Sequence, residues 1–180
     1  MKPIVQAPHA ILSTPAQPVT DYGTPFRKLI ADMKDTLAKA RNPKGVGLAA
    51  PQIGEPYCVF IIKPKESVPI RVFINPEIIR RSRKFTDGVP ERDNKLEGCL
   101  SIKDLWGKVH RSTAVTLRYT DERGGTHTEE FTGFPATIIQ HETDHLNGIL
   151  FTQRVLEQKN TLYHVTKDEE GKDVLNKVEI

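Results

Sequence analysis

Residues 141–145 read His141-Glu142-Thr143-Asp144-His145, an H-E-x-x-H pattern. On a helix, positions i and i+4 share a face, so both imidazoles can reach one metal ion. Glu142 lies between them and can exchange a proton with a water activated by that ion. Ile138 and Ile139 before the pattern, and Leu146 and Ile149 after it, place the helix in a core. Buried histidines flanking a carboxylate fit a metal better than they fit plain packing.

Two imidazoles leave a catalytic site one protein ligand short, since such sites use three and keep a fourth position open. Downstream, Glu157, His164 and Asp168 are available. Upstream, Glu97-Gly98-Cys99-Leu100-Ser101 offers a thiolate, which with two neutral imidazoles leaves a divalent ion one net positive charge. A third segment, Gly45-Val46-Gly47-Leu48-Ala49-Ala50-Pro51-Gln52-Ile53-Gly54, starts with glycines that permit close backbone approach. It then presents one amide, Gln52, from an otherwise apolar run. Without a Lys-Ser/Thr ending it is not a phosphate loop.

The elements that position these residues follow from pattern. Thr24 as N-cap and Pro25 as first helical residue start a helix. Phe26, Leu29, Ile30, Met33 and Leu37 form its apolar face, and it stops near Asn42-Pro43. Tyr57–Ile62 and Ile70–Ile74 are rich in β-branched and aromatic residues and read as strands. Val115, Leu117 and Tyr119 alternate with polar residues, Asp121–Gly125 reads as a turn, and Thr126–Phe131 returns as a strand. Pro135 opens the second helix, which Asn147-Gly148 ends. Residues 1–20 are Pro-rich and wrap the surface, and residues 166–176 read as a loose charged tail. The order helix, antiparallel strands, helix makes an α+β fold. Residues 1–180 read as one catalytic domain, with the tail from about 166.

Composition excludes several classes. No apolar run approaches the roughly 20 residues of a spanning helix, and prolines interrupt any N-terminal signal segment. The net charge of +3, from 26 basic and 23 acidic residues, comes without a basic stripe and implies no nucleic-acid partner. Arg80-Arg81-Ser82-Arg83-Lys84, the densest basic run, reads as a solvated strand edge. Two cysteines are too few for a disulfide scaffold and point to a reducing, cytoplasmic setting. Cys58, in a strand-like run, reads as a buried small hydrophobe. Asp144 and Arg111 form either a buried ion pair or two unrelated surface charges. Trp106 either walls a peptide groove or caps the core.

G-V-G-L-A-A-P-Q at 45–52, E-G-C-L-S at 97–101 and Q-H-E-x-D-H at 140–145 stand in the order of the three motifs of peptide deformylases. Ile74–Ile78 and His145–Phe151 are also similar, and the likeness runs from roughly Pro8 to Leu156. The resemblance implies antiparallel sheets packed around a central helix that carries the H-E-x-x-H. It implies Cys99, His141 and His145 as metal ligands, commonly of Fe(II), with Zn(II) or Ni(II) able to substitute. It implies Glu142 as acid/base, and the Gln52 amide and the Leu100 N–H as oxyanion donors. Val46, Phe134, Ile138 and His141 would line a methionine pocket with Glu97 at its edge. Gly45 and Gly47 would flank the substrate. The implied substrates are N-formylmethionyl peptides and nascent chains, met through transient ribosome contact in the cytoplasm. Three positions depart from the commonest pattern: Lys103-Asp104 replace a Pro-Gly, and Thr137 replaces an Arg. The competing reading is an H-E-x-x-H peptidase with a downstream third ligand.

Overall fold

A computed structural model describes residues 1–41, 44–89 and 95–179. The helices are α1 (Thr24–Lys39), α2 (Phe134–Leu146) and α3 (Phe151–Glu157). The strands are β1 (Gly47–Ala49), β2 (Val59–Ile62), β3 (Arg71–Arg81), β4 (Phe85–Asp87), β5 (Glu97–Cys99), β6 (Ile102–Gly107), β7 (His110–Ser112), β8 (Ala114–Thr120), β9 (Thr126–Thr132), β10 (Leu162–Lys167) and β11 (Asp173–Lys177). They form antiparallel sheets ordered β1-β2-β3-β8-β9, β11-β10-β6-β5 and β4-β7.

The five-stranded sheet is covered on both faces. Successive side chains of a strand point to opposite sides, and the four apolar residues of β2 use both. Val59 and Ile61 join Leu29, Ile30, Met33 and Leu37 of α1. Phe60 and Ile62 join Ile138, Ile139 and Leu146 of α2, with Val115, Leu117 and Tyr119 from β8. A strand buried on both faces reads as a continuous apolar run, as β2 does, whereas β8 alternates because its other face is less covered. The H-E-x-x-H helix thus lies in the core, as expected. A third cluster of Cys99, Val109, Phe151, Val155 and Leu162 ties β5 to α3 and β10.

Several boundaries differ from expectation. The α1 N-cap is Gly23 and Thr24 is already helical; the helix ends at Lys39. Asn42 and Pro43 lie outside the described residues. The strand at Ile70–Ile74 extends to Arg81, past bulges, because β8 pairs along it. Arg80 and Arg81 end β3 exposed to solvent. Cys58 is half-buried rather than buried; that partial burial pushes its thiol pKa up, and both cysteines are free. The second helix begins at Phe134, one residue before Pro135, and Gly148 follows it at φ 70°.

The expected loose tail is instead a hairpin. Tyr163 to Lys167 of β10 pairs with Lys177 to Asp173 of β11, and β10 also pairs with β6. Asp168 Oδ1 accepts from the N–H groups of Glu170 and Lys172 at 2.9 and 2.8 Å and shapes the turn. Strong charge masked the strand pattern, because every residue of β11 is exposed and no buried face enforces alternation.

Residues 1–20 do wrap the surface, and they brace the site segments. The Val5 N–H donates to Gln52 O at 2.8 Å and the Ala7 N–H to Ser101 O at 2.9 Å. Gln6 Nε2 donates to Leu100 O at 3.0 Å.

Candidate metal centre and active-site cleft

Three separate segments meet at one end of α2. The turn from β5 into β6 brings Cys99, α2 brings His141 and His145, and β1 leads into a single 3-10 turn, Ala50–Ile53, that carries Gln52. One sulfur and one nitrogen from each imidazole lie within 4.8 Å of one another. Cys99 Sγ is 3.2 Å from His145 Nε2, close to the ~3.6 Å that tetrahedral bonds of ordinary length to one ion would set. Soft thiolate and imidazole donors suit a first-row divalent ion. Glu142 Oε2 is buried without a partner, so a polar group sealed here needs something beyond the protein to satisfy it. The residues fit a metal. Glu157, His164 and Asp168 are exposed and stand apart from this group, which removes the downstream-ligand reading.

His141 is held from behind. His141 Nδ1 bonds Glu97 Oε2 at 3.0 Å, which leaves its other nitrogen for the centre. Glu97, only 3% exposed, takes Arg111 Nε at 2.8 Å and Nη2 at 3.0 Å. Arg111 Nη1 reaches Asp144 Oδ2 at 2.6 Å, and Arg154 Nη2 reaches Asp144 Oδ1 at 2.8 Å. Of the two alternatives for Asp144 and Arg111, the buried pair is the one found, and it extends to Glu97. Burial alone would raise the Glu97 carboxyl, but the charge and hydrogen bonds of Arg111 override it and hold it at about 2. Burial disfavours the His141 imidazolium, yet bonds to Cys99 and Glu97 outweigh that and raise its pKa well above the usual value. Burial pushes His145 well below it. Burial also lifts the Glu142 carboxyl to about 7, with the nearby Glu97 charge adding to the rise.

Replacing Arg111 with Met would leave Glu97 without its cation and strip one partner from Asp144. Breaking a buried pair in this way costs about 3–5 kcal/mol. Urea unfolding should show a lowered midpoint with little change in slope.

Gln52 is 1% exposed and fixed at both ends. Its Oε1 accepts from the Ala49 N–H at 2.8 Å, while Nε2 donates to Ser101 Oγ at 3.3 Å and Cys99 Sγ at 3.5 Å. The Ser101 N–H also donates to Cys99 Sγ, at 3.4 Å.

A cleft opens to solvent beside these groups. Gly45, Val46 and Gly47 line one side, Glu97, Gly98 and Leu100 a second, and Phe134, Ile138 and His141 a third. Ile138 also packs in the α2 core cluster, so it serves wall and core together. Trp106 falls outside the lining; its ring lies against Gly98, where a Cβ would come within 2.8 Å of it. Val89 and Thr137 also line the cleft, and pattern alone did not single them out as lining residues. Asp104, where the motif usually has Gly, has φ 58°, a left-handed value that favours glycine and that Asp tolerates.

Gly47 is where close approach matters. A Cβ there would collide with Glu142 Oε1 and come within 2.7 Å of Ile138 Cγ2. Gly47→Ala should shift the Glu142 carboxylate and lower turnover at least ~100-fold, the lower end of what a positioned acid/base contributes. Metal content should stay near one ion per chain. Normal turnover in this variant would mean that the Glu142 position is not critical.

A paired-histidine helix with a neighbouring thiol, set in an α+β frame beside a cleft, marks a metal-dependent hydrolase. The family model for polypeptide deformylases matches residues 1–161, and the chain belongs to that family. It is 39% identical over 165 residues to a peptide deformylase of Mesorhizobium japonicum, covering 90% of this chain and 88% of that one. It is 36% identical to peptide deformylase 1 of Bacillus subtilis, covering 86% and 90%. Among solved structures, a class I type b peptide deformylase from Acinetobacter baumannii aligns with TM-score 0.77 at 36% identity, over 86% of this chain and 98% of the other. A Thermotoga maritima peptide deformylase aligns at 0.76 and 32%, over 86% and 97%. The chain is accordingly an enzyme that hydrolyses the N-formyl group from the N-terminal formylmethionine of nascent polypeptides and releases formate.

Proposed function

We propose that Cys99, His141 and His145 hold one divalent ion, Fe(II) in the cell, with Zn(II) or Ni(II) able to replace it. The observation that carries this is the meeting of their three ligand atoms within 4.8 Å, with Glu142 and Gln52 in the wall of the same cleft. The ion, when bound, supplies Lewis acidity toward water and carbonyl oxygen.

The chain's own residues supply the rest. The formylated N-terminus enters with its methionine side chain against Val46, Phe134 and Ile138, and Gly45 and Gly47 let the peptide backbone approach. Glu142 accepts a proton from the attacking water. As that water adds to the formyl carbon, charge builds on the carbonyl oxygen; the Leu100 N–H donates to it, and Gln52 Nε2 turns one N–H to it in place of its 3.5 Å contact with Cys99 Sγ. Glu142 then delivers the proton to the departing nitrogen, the C–N bond breaks, and formate and a free amine leave. Glu97 holds His141 in one orientation throughout, as partners behind metal-ligating histidines generally do. The chain acts as one catalytic domain. No helix among the described residues is long and apolar enough to cross a membrane. The enzyme works in the cytoplasm and meets its substrate in brief contact with the ribosome, where formylated chains emerge.

Gln52→Ala tests the oxyanion role. Loss of one such donor costs about 10²–10³ in rate, so kcat on a formyl-Met peptide should fall by that much with KM little changed. A normal kcat with a raised KM would make Gln52 a binding residue only.

A further inference from the structure

Among the described residues, three buried side-chain polar atoms have no hydrogen-bond partner: Glu142 Oε2, His145 Nδ1 and Thr137 Oγ1. The first two belong to the metal centre. The third does not, and an orphaned buried donor in a folded protein requires an explanation.

Threonine on a helix ordinarily solves this problem locally, by donating to the carbonyl four residues back. Thr143, on the same helix, does so: its Oγ1 donates to Ile139 O at 2.7 Å. Gln140 is satisfied too, through Ala136 O and Ser112 O at 3.0 and 2.9 Å. Thr137 is only 2% exposed, yet its hydroxyl meets nothing. Thr137 also lines the cleft, whose walls combine apolar Val46, Val89, Phe134 and Ile138 with Lys44 and the polar groups of the metal centre.

We propose that Thr137 is a specificity-determining residue: its hydroxyl donates a hydrogen bond to an acceptor on the side chain of the formylated residue. The inference rests on the reading of this part of the cleft as the methionine pocket. A thioether sulfur is a weak acceptor. A sulfoxide oxygen is a strong one, and its burial among apolar walls alone would be unfavourable. The pocket therefore accepts N-formylmethionine sulfoxide as well as N-formylmethionine, so the enzyme can deformylate chains whose first residue has been oxidised. The hydroxyl oxygen is sealed from solvent in its present orientation, so presenting it to the ligand requires a rotation about χ1.

The test compares three peptides alike except for the first residue: formyl-Met, formyl-norleucine and formyl-methionine sulfoxide. In the metal-loaded wild type, kcat/KM for the sulfoxide should lie within about tenfold of that for methionine. Thr137→Val removes the hydroxyl and keeps the shape. It should lower the ratio of kcat/KM for the sulfoxide to that for norleucine about 10–100-fold, the cost of an acceptor left unpaired. Thr137→Ser keeps the donor and should keep sulfoxide turnover. The Val variant should melt no lower than wild type, because it loses an unpaired donor. Equal effects on sulfoxide and norleucine, or a wild type that hydrolyses norleucine but rejects the sulfoxide, would overturn the proposal. Hydrolysis of none of the three by the wild type would overturn the pocket assignment with it.

Discussion

Cys99→Ala should leave a folded chain that no longer retains a metal ion through purification. The thiol is one of three side chains whose ligand atoms meet, and it is the one that carries charge as a ligand. Removing it leaves two neutral imidazoles and a vacancy that water must fill. Mutating a group that merely supports a ligand typically costs 10–100-fold in affinity, and loss of the ligand itself should exceed that. The side chain is small and 2% exposed, so its truncation opens only a small cavity and the fold should persist. Metal analysis on dialysed protein, with circular dichroism on the same sample, separates the two effects. A variant that holds one ion per chain at wild-type affinity would remove Cys99 from the centre.

Glu142→Gln should do the opposite: metal kept, turnover nearly gone. Gln is close to isosteric with Glu, and Glu142 is outside the three-residue ligand group, so the ion should stay. An amide can still accept a hydrogen bond from water, but it can neither take the proton nor hand one to the departing nitrogen. Both transfers lose their carrier, and catalysis of this kind is worth roughly 10²–10⁴ in rate. Glu142 Oε2 is buried with no partner in the protein and so is free to meet that water. Loss of metal together with activity would assign Glu142 to shaping the site. Retention of both would exclude it from proton transfer.

Much of this arrangement can be read from the chain. The helical face of Phe26 to Leu37, the alternation of β8 and the four-residue spacing of His141 and His145 each reflect a periodicity that burial enforces, and each appears where expected. The proposed ligand Cys99 is another matter. Nothing local separates it from an inert buried thiol. Its assignment came from resemblance over three motifs, and the fold shows why spacing could not give it: β5 is a three-residue strand whose place depends on pairing with β6. Arg111 shows the same limit. Its partners Glu97 and Asp144 lie 14 and 33 residues away in sequence, so the sequence leaves the pairing with Asp144 as one of two alternatives and gives no sign of Glu97. The hairpin of β10 and β11 was hidden because its residues face solvent, where sequence is free to be charged. Gln6 leaves no signal, since its bond to the Leu100 carbonyl exists only once the N-terminal strap has wrapped.

The central claim is that the Cys99, His141 and His145 centre, working with Glu142, hydrolyses the formyl amide. The most direct measurement is formate released per mole of purified chain from a formyl-Met peptide, followed through one cycle of metal removal and reloading. Formate and free N-terminal amine should appear in equal amounts. Both should cease when the ion is stripped and return when Fe(II), Zn(II) or Ni(II) is restored at one per chain, with no internal peptide bond cut. Turnover that persists in metal-free protein, or cleavage within the peptide in place of formate release, would contradict it.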